Sequence, residues 1–154
     1  MHHSDVKYDL RYLIITVSSS RNKDNDVSGK IMADLIKQNC SRSMVRDDEV
    51  QILNELFYNY NKYDVFIYIG GTGASKFDQT SLSIRKICEK EIPGFGEVFR
   101  SRSGGIFPYL SDASLFIYKG KIIFTLPGSE QAQNIAFGII KEIVGHLYHE
   151  VNKE

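Results

Sequence analysis

The chain has 154 residues, a length that fits one domain of ordinary size. Hydrophobic residues make up 42% of it, which excludes a disordered chain and allows a substantial core. Lysine plus arginine and aspartate plus glutamate each number 19, so the formal net charge is zero. A general nucleic-acid binder carries a basic surplus, and we therefore expect no nucleic-acid partner.

The chain also lacks the sequence signals of a membrane or secreted protein. No apolar run approaches the ~20 residues that span a bilayer, and the polar start of the chain is unlike a signal peptide. We expect a cytoplasmic protein with no membrane partner. Cys40 and Cys88 lie far apart and outside any CxxC motif, which predicts buried free thiols. His2 and His3 are either native residues or an expression remnant.

The first predicted elements are a strand and a helix joined by a polar loop. Residues 12–17 form a continuous apolar and β-branched run, typical of a strand buried on both faces. Residues 18–26 form the polar loop. Ser28 is placed to cap the helix that follows. The apolar stripe of this helix is Ile31, Met32, Leu35 and Ile36.

A second and a third strand–helix pair follow. Residues 43–46 are a short strand candidate, and the acidic start of the segment 47–60 predicts a helix N-terminus. Residues 64–69 predict another buried strand. Thr80 is placed to cap the next helix. The predicted core faces of the two helices are Val50, Leu53, Leu56, Phe57 and Tyr60 on the first, and Leu82, Ile87 and Cys88 on the second.

The C-terminal half is less uniform. Residues 91–114 are rich in glycine and proline and show no clear period. Residues 115–126 predict two strands around a turn at Lys119 and Gly120. The last helix has the clearest stripe, formed by Ala132, Ile135, Ala136, Ile139, Ile140, Ile143, Val144 and Leu147.

Strands that alternate with helices predict βαβ units. We therefore expect a single three-layer α/β/α domain with a mostly parallel sheet over residues 1–154, with its core at about 11–149. Ligands of such sheets bind outside the carboxyl ends of the strands. Three polar loops fall there: residues 18–26, residues 70–80 and residues 126–130.

The loop at residues 70–80 carries most of the chemistry. Gly70, Gly71 and Gly73 allow backbone N–H groups to approach a ligand, and such groups ahead of a helix form an anion site, usually for phosphate. Asp78 would repel phosphate unless a cation lies between them, which favours Mg²⁺. The loop alone is equally consistent with a plain tight turn, because it lacks the Gly-Lys-Ser/Thr ending of a P-loop.

Four motifs in order resemble the MoaB/Mog family of molybdenum-cofactor biosynthesis proteins: GGTG, DQT, PGFGEVFR and LPGS. The segments DVSG and RDDEVQI also fit, and the resemblance covers residues 12–147. It implies a molybdopterin-binding three-layer α/β fold and a homo-oligomer, either trimer or hexamer. It further implies Mg²⁺-dependent transfer of an adenylyl group from ATP to molybdopterin, with release of pyrophosphate before metal insertion.

The resemblance also implies which residues form the site. Asp47 and Asp78 correspond to the two catalytic carboxylates and are the candidate Mg²⁺ ligands. The implied substrate- and nucleotide-binding residues are Ser18, Gly70, Gly71, Thr72, Gly73, Gly94, Phe95, Gly96, Glu97, Arg100, Pro127, Gly128 and Ser129.

The sequence departs from the family pattern in four places. Phe77 stands where the family often has an arginine that could clamp phosphate. Asp112 stands in Ser-Asp-Ala where the family often has Ser-Arg-Ala, and Glu130 replaces a proline. Ser19 stands where an aspartate is common. Three of these changes remove a positive charge or add a negative one near the expected phosphate site.

Each candidate residue also has a structural reading. Asp78 could help Thr80 cap its helix, Asp47 could complement a helix dipole, and Ser129 could be the N-cap of the last helix. His146 and His149 have metal-binding spacing, but no third ligand is evident, which favours surface or interface histidines.

Three functional hypotheses follow. The first is a molybdopterin adenylyltransferase, and the second is a non-catalytic molybdopterin-binding carrier or assembly protein of the same pathway. The third is a generic nucleotide-binding regulator.

Overall fold

The computed structural model describes residues 9–20 and 22–154, so His2 and His3 lie outside the described residues. Within these ranges six strands and five α-helices follow one another along the chain. The strands are β1 (Tyr12–Val17), β2 (Cys40–Val45), β3 (Val65–Ile69), β4 (Lys90–Glu91), β5 (Ser114–Tyr118) and β6 (Lys121–Leu126). The helices are α1 (Val27–Ile36), α2 (Glu49–Tyr58), α3 (Thr80–Ile87), α4 (Pro93–Ser103) and α5 (Glu130–Asn152). Short 3-10 helices cover Lys23–Asn25 and Phe107–Leu110.

The six strands form one sheet in the order β2-β1-β3-β6-β5-β4. The first four in this order are parallel, β5 is antiparallel to β6, and β4 is antiparallel to β5. Lys119 and Gly120 form the β5–β6 turn with φ of 44° and 82°, and such positive values are typical of tight hairpins. The prediction of a mostly parallel sheet with one terminal hairpin is confirmed.

Helices cover both faces of the sheet. Helices α1, α4 and α5 pack on one face, where Met32, Phe99 and Ile140 belong to the buried core. Helices α2 and α3 cover the other face through Ile52, Leu56 and Ile84. The three-layer architecture is therefore confirmed. Cys40 and Cys88 are free thiols, as predicted, but they are half-buried and not buried. None of the described helices is both long and apolar enough to cross a membrane.

Two predicted helix caps are wrong. Helix α1 is capped by Asp26, whose carboxylate accepts from the Gly29 N–H at 3.1 Å. Ser28 lies inside the helix, and its hydroxyl donates to the Gly128 carbonyl at 2.7 Å. Helix α3 has no side-chain cap, and Thr80 is its first residue. Each of the two hydroxyl residues therefore lies one or more positions inside its helix, where its side chain does not cap the free N–H groups.

The predicted core faces of α2 and α3 are only partly correct. Ile52 and Leu56, one turn apart, face the sheet, while Val50 and Phe57 are exposed by 61% and 45%. On α3, Ile84 is buried and Leu82 is half exposed. Both helices carry apolar residues on two sides, so the period alone did not identify the side that meets the sheet.

The segment without a clear period contains a full helix, α4. Pro93 occupies its first position, where a missing N–H costs no hydrogen bond and the fixed φ suits the helix. Gly104, with φ of 75°, ends it. The glycines at 94 and 96 obscured the helix because glycine has low helix propensity. Helix α5 begins and runs as predicted, with Ser129 as its N-cap.

A buried carboxylate ties the amino end of β3 to the neighbouring strand and helix. Asp64 accepts from the Arg11 backbone N–H at 2.8 Å and from its guanidinium at 3.1 and 3.2 Å. Lys121 Nζ lies 3.9 Å away, and Tyr148 donates at 3.5 Å. Burial alone would raise the pKa of Asp64, but the hydrogen bonds and charge of Arg11 outweigh it and hold the pKa below its ordinary value.

We expect Asp64→Asn to lower the free energy of unfolding at pH 7 by roughly 1.5–3 kcal/mol, because it removes charge-assisted hydrogen bonds. A carboxyl with a lowered folded-state pKa contributes stability above its unfolded pKa, near ~3.9, and loses it as the pH falls through the folded value. The difference in the free energy of unfolding between parent and variant should therefore be constant above about pH 5 and become smaller below pH 4.

Urea unfolding at several pH values measures this difference. Asp34→Asn is the matched control, because Asp34 pairs with Lys30 on the exposed surface of α1 and should change stability by less than about 0.5 kcal/mol. A difference at Asp64 that persists unchanged to pH 3 would contradict the ion-pair explanation.

Candidate functional site

A cleft of about 730 Å³ opens where β1, β3 and β6 end. The loops that follow these strands line it, and so do Asp26 and residues of the segment 107–111. Nine of the predicted site residues line the cleft: Ser18, Gly70, Gly71, Thr72, Gly73, Asp78, Pro127, Gly128 and Ser129. The structure thus brings together the three loops that the sequence placed at the carboxyl ends of the strands.

The glycine loop is packed so closely that it has no space for side chains at two positions. Gly70 has φ of 102°, and a Cβ there would lie 2.5 Å from the Val17 carbonyl oxygen. Gly71 has φ of 69°, and a Cβ would lie 2.1 Å from Thr80 Oγ1. Only glycine accepts both the left-handed backbone and these distances. The loop is therefore held between the end of β1 and the start of α3.

The loop at 127–129 meets the glycine loop from the other side. A Cβ on Gly128 would lie 3.9 Å from the Gly70 Cα. Gln133 donates to the carbonyls of Pro127 and Ser129 at 2.9 and 2.8 Å, which fixes the loop on helix α5. Ser129 accepts from the Ala132 N–H at 3.2 Å, so its predicted capping role is confirmed. The start of α5 thereby faces the cleft with its positive dipole end.

The two predicted catalytic carboxylates flank the glycine loop. Asp78 lines the cleft and accepts from the Ser75 N–H at 3.0 Å, and a Cβ on Gly73 would lie 2.8 Å from its carboxylate. Asp47 follows β2 and accepts from the Gln79 N–H at 2.9 Å. Asp78 does not cap α3, so that alternative is wrong. Asp48, not Asp47, caps α2 by accepting from the Gln51 N–H.

The electrostatic setting of these carboxylates suits a cation. Burial raises the pKa of Asp47, and the charge of Asp78 raises it further, against the hydrogen bond from Gln79. Neither carboxylate forms an ion pair within the described part of the chain. The buried Thr80 hydroxyl beside Gly71 also has no hydrogen-bond partner there.

This donor set fits Mg²⁺ brought in with phosphates rather than a closed protein cage. The described residues contain no group of three or more His, Cys, Asp or Glu side chains that could hold a metal by themselves. Mg²⁺ is commonly held by one or two carboxylates together with substrate phosphates. The same finding disfavours a metal site at His146 and His149, and His146 lies 3.9 Å from Glu150 on the same helix.

The sequence reasoning did not single out Asp26, which lines the cleft and is buried. Its carboxylate accepts from the Thr16 hydroxyl and from Arg42 at 3.2 Å. Asp26 therefore joins the end of β1, the start of α1 and strand β2. An aspartate immediately before a helical stripe is a cap signal that could have identified it, but its pairing with Arg42 has no sequence signature.

The site residues predicted on α4 do not line the cleft. Phe95 is part of the core, with its ring centroid 5.0 Å from that of Phe124. Gly94 and Glu97 are exposed outside the cleft lining. Gly96 is packed against the Ala113 carbonyl, and a Cβ there would lie 2.6 Å from it. The motif Pro-Gly-Phe-Gly-Glu thus packs α4 on the sheet, and its side chains do not reach the cleft of this chain.

Arg100 does not line the cleft but bonds to the backbone of a segment that does. Its guanidinium donates to the carbonyls of Ser111 and Ala113, both at 3.2 Å. Ser111 lines the cleft, and its hydroxyl lies 3.4 Å from that of Thr72. Arg100 therefore holds the wall of the cleft in place.

Phe77, which replaces a family arginine, does not line the cleft. It is 70% exposed, and Lys76 Nζ lies 5.2 Å from its ring centroid. The position of Phe77 therefore does not supply a group to the cleft of this chain, and its exposed ring and the half-exposed Leu82 leave both side chains accessible to a neighbouring subunit.

The negative charge of Asp112 is paired with an arginine within the chain. Arg85 of α3 donates to both oxygens of Asp112 at 2.9 and 3.0 Å and to both oxygens of Glu91 at 2.7 and 3.1 Å. The hydrogen bonds from Arg85 lower the pKa of Asp112. Asp112 thus stands where the family often has an arginine, but its negative charge is paired with Arg85 within the chain.

The Arg85–Asp112 pair also connects α3 to the glycine loop. The Asp112 N–H donates to the Thr72 carbonyl at 2.8 Å, and the Ser81 hydroxyl donates to the Asp112 carbonyl at 2.6 Å. The segment 111–113 is thus held by Arg85 through the Asp112 side chain and by Arg100 through two backbone carbonyls.

We expect Asp112→Arg to lower the melting temperature by roughly 2–4 °C, equivalent to about 1 kcal/mol, because the new cation would face Arg85 and Arg100. The double variant Arg85→Asp with Asp112→Arg re-forms an opposite-charge pair and should recover part of the loss, since it also removes the bonds of Arg85 to Glu91. Differential scanning calorimetry of both variants measures the effect. A single variant as stable as the parent would show that the pair does not stabilise the fold.

Comparison with known proteins agrees with this geometry. The family model described as "Probable molybdopterin binding domain" matches residues 13–146. The chain is 32% identical to "Molybdenum cofactor biosynthesis protein B" of Bacillus cereus, over 99% of this chain and 97% of that one. It is 34% identical to "Probable molybdopterin adenylyltransferase" of Methanocaldococcus jannaschii, over 94% and 95%.

A solved structure titled "Crystal structure of Molybdenum cofactor biosynthesis protein B" superposes with a TM-score of 0.89 at 32% identity, over 96% of this chain and 98% of that chain. The resemblance predicted from the ordered motifs is thereby confirmed. The chain belongs to the molybdopterin-binding domain family of molybdenum cofactor biosynthesis proteins.

Proposed function

We propose that this protein is a molybdopterin adenylyltransferase, which transfers the adenylyl group of ATP to molybdopterin and releases pyrophosphate. The observation that carries the proposal is the pair of carboxylates, Asp47 and Asp78, which flank a glycine loop without a cationic partner among the described residues. The similarity to a protein named as an adenylyltransferase supports the same activity.

The loops of the cleft supply the phosphate-binding groups. The loop at Gly71, Thr72 and Gly73 exposes backbone to the cleft, and the start of α5 at Ser129 adds a helix N-terminus. Phosphates held between these two elements would lie beside Asp78. Mg²⁺ held by Asp78 and Asp47 would then offset the negative charge of the phosphates.

In the proposed reaction, a terminal phosphate oxygen of molybdopterin attacks the α-phosphorus of ATP. A P–O bond forms to that oxygen, the bond to the oxygen bridging the α- and β-phosphorus breaks, and pyrophosphate leaves with the electron pair. The attacking phosphate is already an anion, so no protein base is required. The task of the chain is to align the two substrates and to stabilise developing charge by fixed dipoles.

One feature of the cleft favours the alternative, a molybdopterin-binding carrier or assembly protein without catalysis. Among the described residues, the cleft lining contains no lysine or arginine, and its charged members are Asp26 and Asp78. Because no basic side chain of the described cleft lining offsets the charge of the phosphates, binding of ATP in this cleft would depend on Mg²⁺. Calorimetric titration of ATP with and without Mg²⁺ separates the hypotheses, because a carrier would bind molybdopterin but show no Mg²⁺-dependent binding of ATP.

We expect Asp78→Asn to reduce product formation by roughly 100-fold or more, because it keeps the size of the side chain and removes the charge that would hold Mg²⁺. The assay incubates the protein with molybdopterin and Mg-ATP and detects the adenylylated product by mass spectrometry. Thermal melting should be unchanged.

Asp48→Asn is the matched control, since Asp48 caps α2 and asparagine caps as well as aspartate. It should leave product formation intact. Activity of Asp78→Asn within threefold of the parent would rule out the Mg²⁺ role, and absence of product from the parent protein itself would favour the carrier.

We also propose that the protein is a homo-oligomer, either a trimer or a hexamer. Several large apolar side chains outside the cleft are exposed by 50–75%. They lie in and between α2 and α3 and are Val50, Tyr58, Phe77 and Leu82. Exposed apolar and aromatic side chains in one region are typical of surfaces that associate.

Light scattering at micromolar concentration is expected to give a mass of three or six chains of 17.6 kDa. A single species at the mass of one chain would contradict the proposal.

A further inference from the structure

Two consecutive carbonyls of the glycine loop are bonded to the body of the protein. The Gly71 carbonyl accepts from the Thr80 N–H at 3.0 Å, and the Thr72 carbonyl accepts from the Asp112 N–H at 2.8 Å. The described part of the chain contains no cis peptide bond, and in a trans peptide the N–H points opposite to the C=O. The N–H groups of Thr72 and Gly73 are therefore turned away from Thr80 and Asp112.

These two N–H groups are available to a ligand. Within residues 9–20 and 22–154, neither the Thr72 N–H nor the Gly73 N–H donates to a protein acceptor, and both residues line the cleft. Backbone N–H groups left unbonded in a loop are the groups from which anion sites are built. The direction of the Gly73 N–H is thus determined by the bond between the Thr72 carbonyl and Asp112.

Arg85 holds the residue that makes this bond. Its guanidinium donates to both carboxylate oxygens of Asp112, at 2.9 and 3.0 Å, and lies 5.3 Å from the centroid of the buried Phe116 ring. The Ser114 hydroxyl donates to one of the same oxygens at 3.0 Å. A bidentate arginine–carboxylate pair has a fixed geometry, so it restrains the position of Asp112 and of its N–H.

Arg85 reaches the cleft only through other residues. It does not line the cleft, so it does not contact a ligand there. The path from its guanidinium to the Gly73 N–H consists of one ion pair, one backbone hydrogen bond and one rigid peptide plane. The other edge of the guanidinium donates to both oxygens of Glu91 on β4, at 2.7 and 3.1 Å. The two carboxylate partners of Arg85 therefore differ in one respect, since the backbone of Asp112 alone bonds to the glycine loop.

We propose that Arg85 is a positioning residue for adenylyl transfer. It holds Asp112, and the bond from Asp112 to the Thr72 carbonyl keeps the Gly73 N–H directed at the phosphates. The proposal rests on the proposed function, which supplies those phosphates. Neither Arg85 nor Asp112 touches a substrate, and the pair acts on the reaction through the orientation of the loop.

Arg85→Gln tests the proposal, because glutamine lacks the charge and the bidentate geometry of arginine. Hydrogen–deuterium exchange at single-residue resolution follows the Asp112 N–H, which its bond to the Thr72 carbonyl protects. This exchange should become at least about 10-fold faster. The kcat for adenylylation of molybdopterin should fall roughly 10- to 100-fold, because a misdirected donor stabilises the transition state less well. The KM for ATP should change by less than about threefold.

Glu91→Gln is the matched control. It removes the other partner of the same guanidinium, and the side chains of Glu91 and Asp112 are similarly exposed, by 32% and 39%. It should lower the melting temperature, but kcat and the exchange of the Asp112 N–H should stay within about threefold of the parent. Asp112→Asn is a second test variant that keeps the backbone N–H and the size of the side chain, and its kcat should fall as in Arg85→Gln.

The control separates positioning from a purely structural role. Equal loss of kcat in Arg85→Gln and Glu91→Gln would overturn the proposal, because kcat would then follow stability. A kcat of Arg85→Gln and Asp112→Asn within threefold of the parent would overturn it as well.

Failure of this inference is distinguishable from failure of the proposed function. A parent that forms no product rejects the proposed function, and calorimetric titration of tripolyphosphate with Mg²⁺ then tests the loop directly. Weaker binding by Arg85→Gln than by Glu91→Gln, together with faster exchange of the Asp112 N–H, supports the positioning role. Equal binding by the two variants, or a parent that does not bind tripolyphosphate, overturns it.

Discussion

Three parallel strands that are buried on both faces, β1, β3 and β6, determine where the loops of the cleft lie. In the register of the sheet, Thr16 of β1 is opposite Ile69 of β3, which is opposite Leu126 of β6. Each strand pair forms evenly spaced hydrogen bonds, and helices cover both faces, so the three strands end at one edge. The loops after them are brought together by this pairing before any ligand is involved, and the Gly70 N–H still bonds to the Leu126 carbonyl at 2.8 Å.

The close packing of three loops explains why positions 70 and 71 are glycine more directly than ligand binding does. At Gly70 and Gly71, side chains would collide with the end of β1 and with Thr80. The glycines are therefore required by the packing of the loops, and the exposed backbone that could bind phosphate is a consequence of the same geometry. A sequence with GGTG after a buried strand thus predicts a close approach of backbone segments first and an anion site second.

The sequence predicted the elements whose pattern is local. Strands β1 and β3 and the stripe of α5 were found because each repeats one chemical type at the spacing of its own backbone. Helix α4 was missed because its glycines and proline conceal a helical period, and Phe95 was assigned to the cleft although it belongs to the core. The pair formed by Arg85 and Asp112 joins residues 27 positions apart, and that distance has no period from which it could be predicted.

The carboxylates discussed above fall into two groups with different physical roles. Asp26, Asp64 and Asp112 are each paired with an arginine, and the pKa values of Asp64 and Asp112 are lowered, so these carboxylates stabilise the fold in their charged form. Asp47 is raised in pKa first by burial and then by the charge of Asp78, and no arginine compensates either carboxylate among the described residues. The raised pKa means that the fold disfavours the charged form of Asp47, and a bound cation would reverse this. By this criterion the carboxylates paired with an arginine are structural, and Asp47 is the candidate for function.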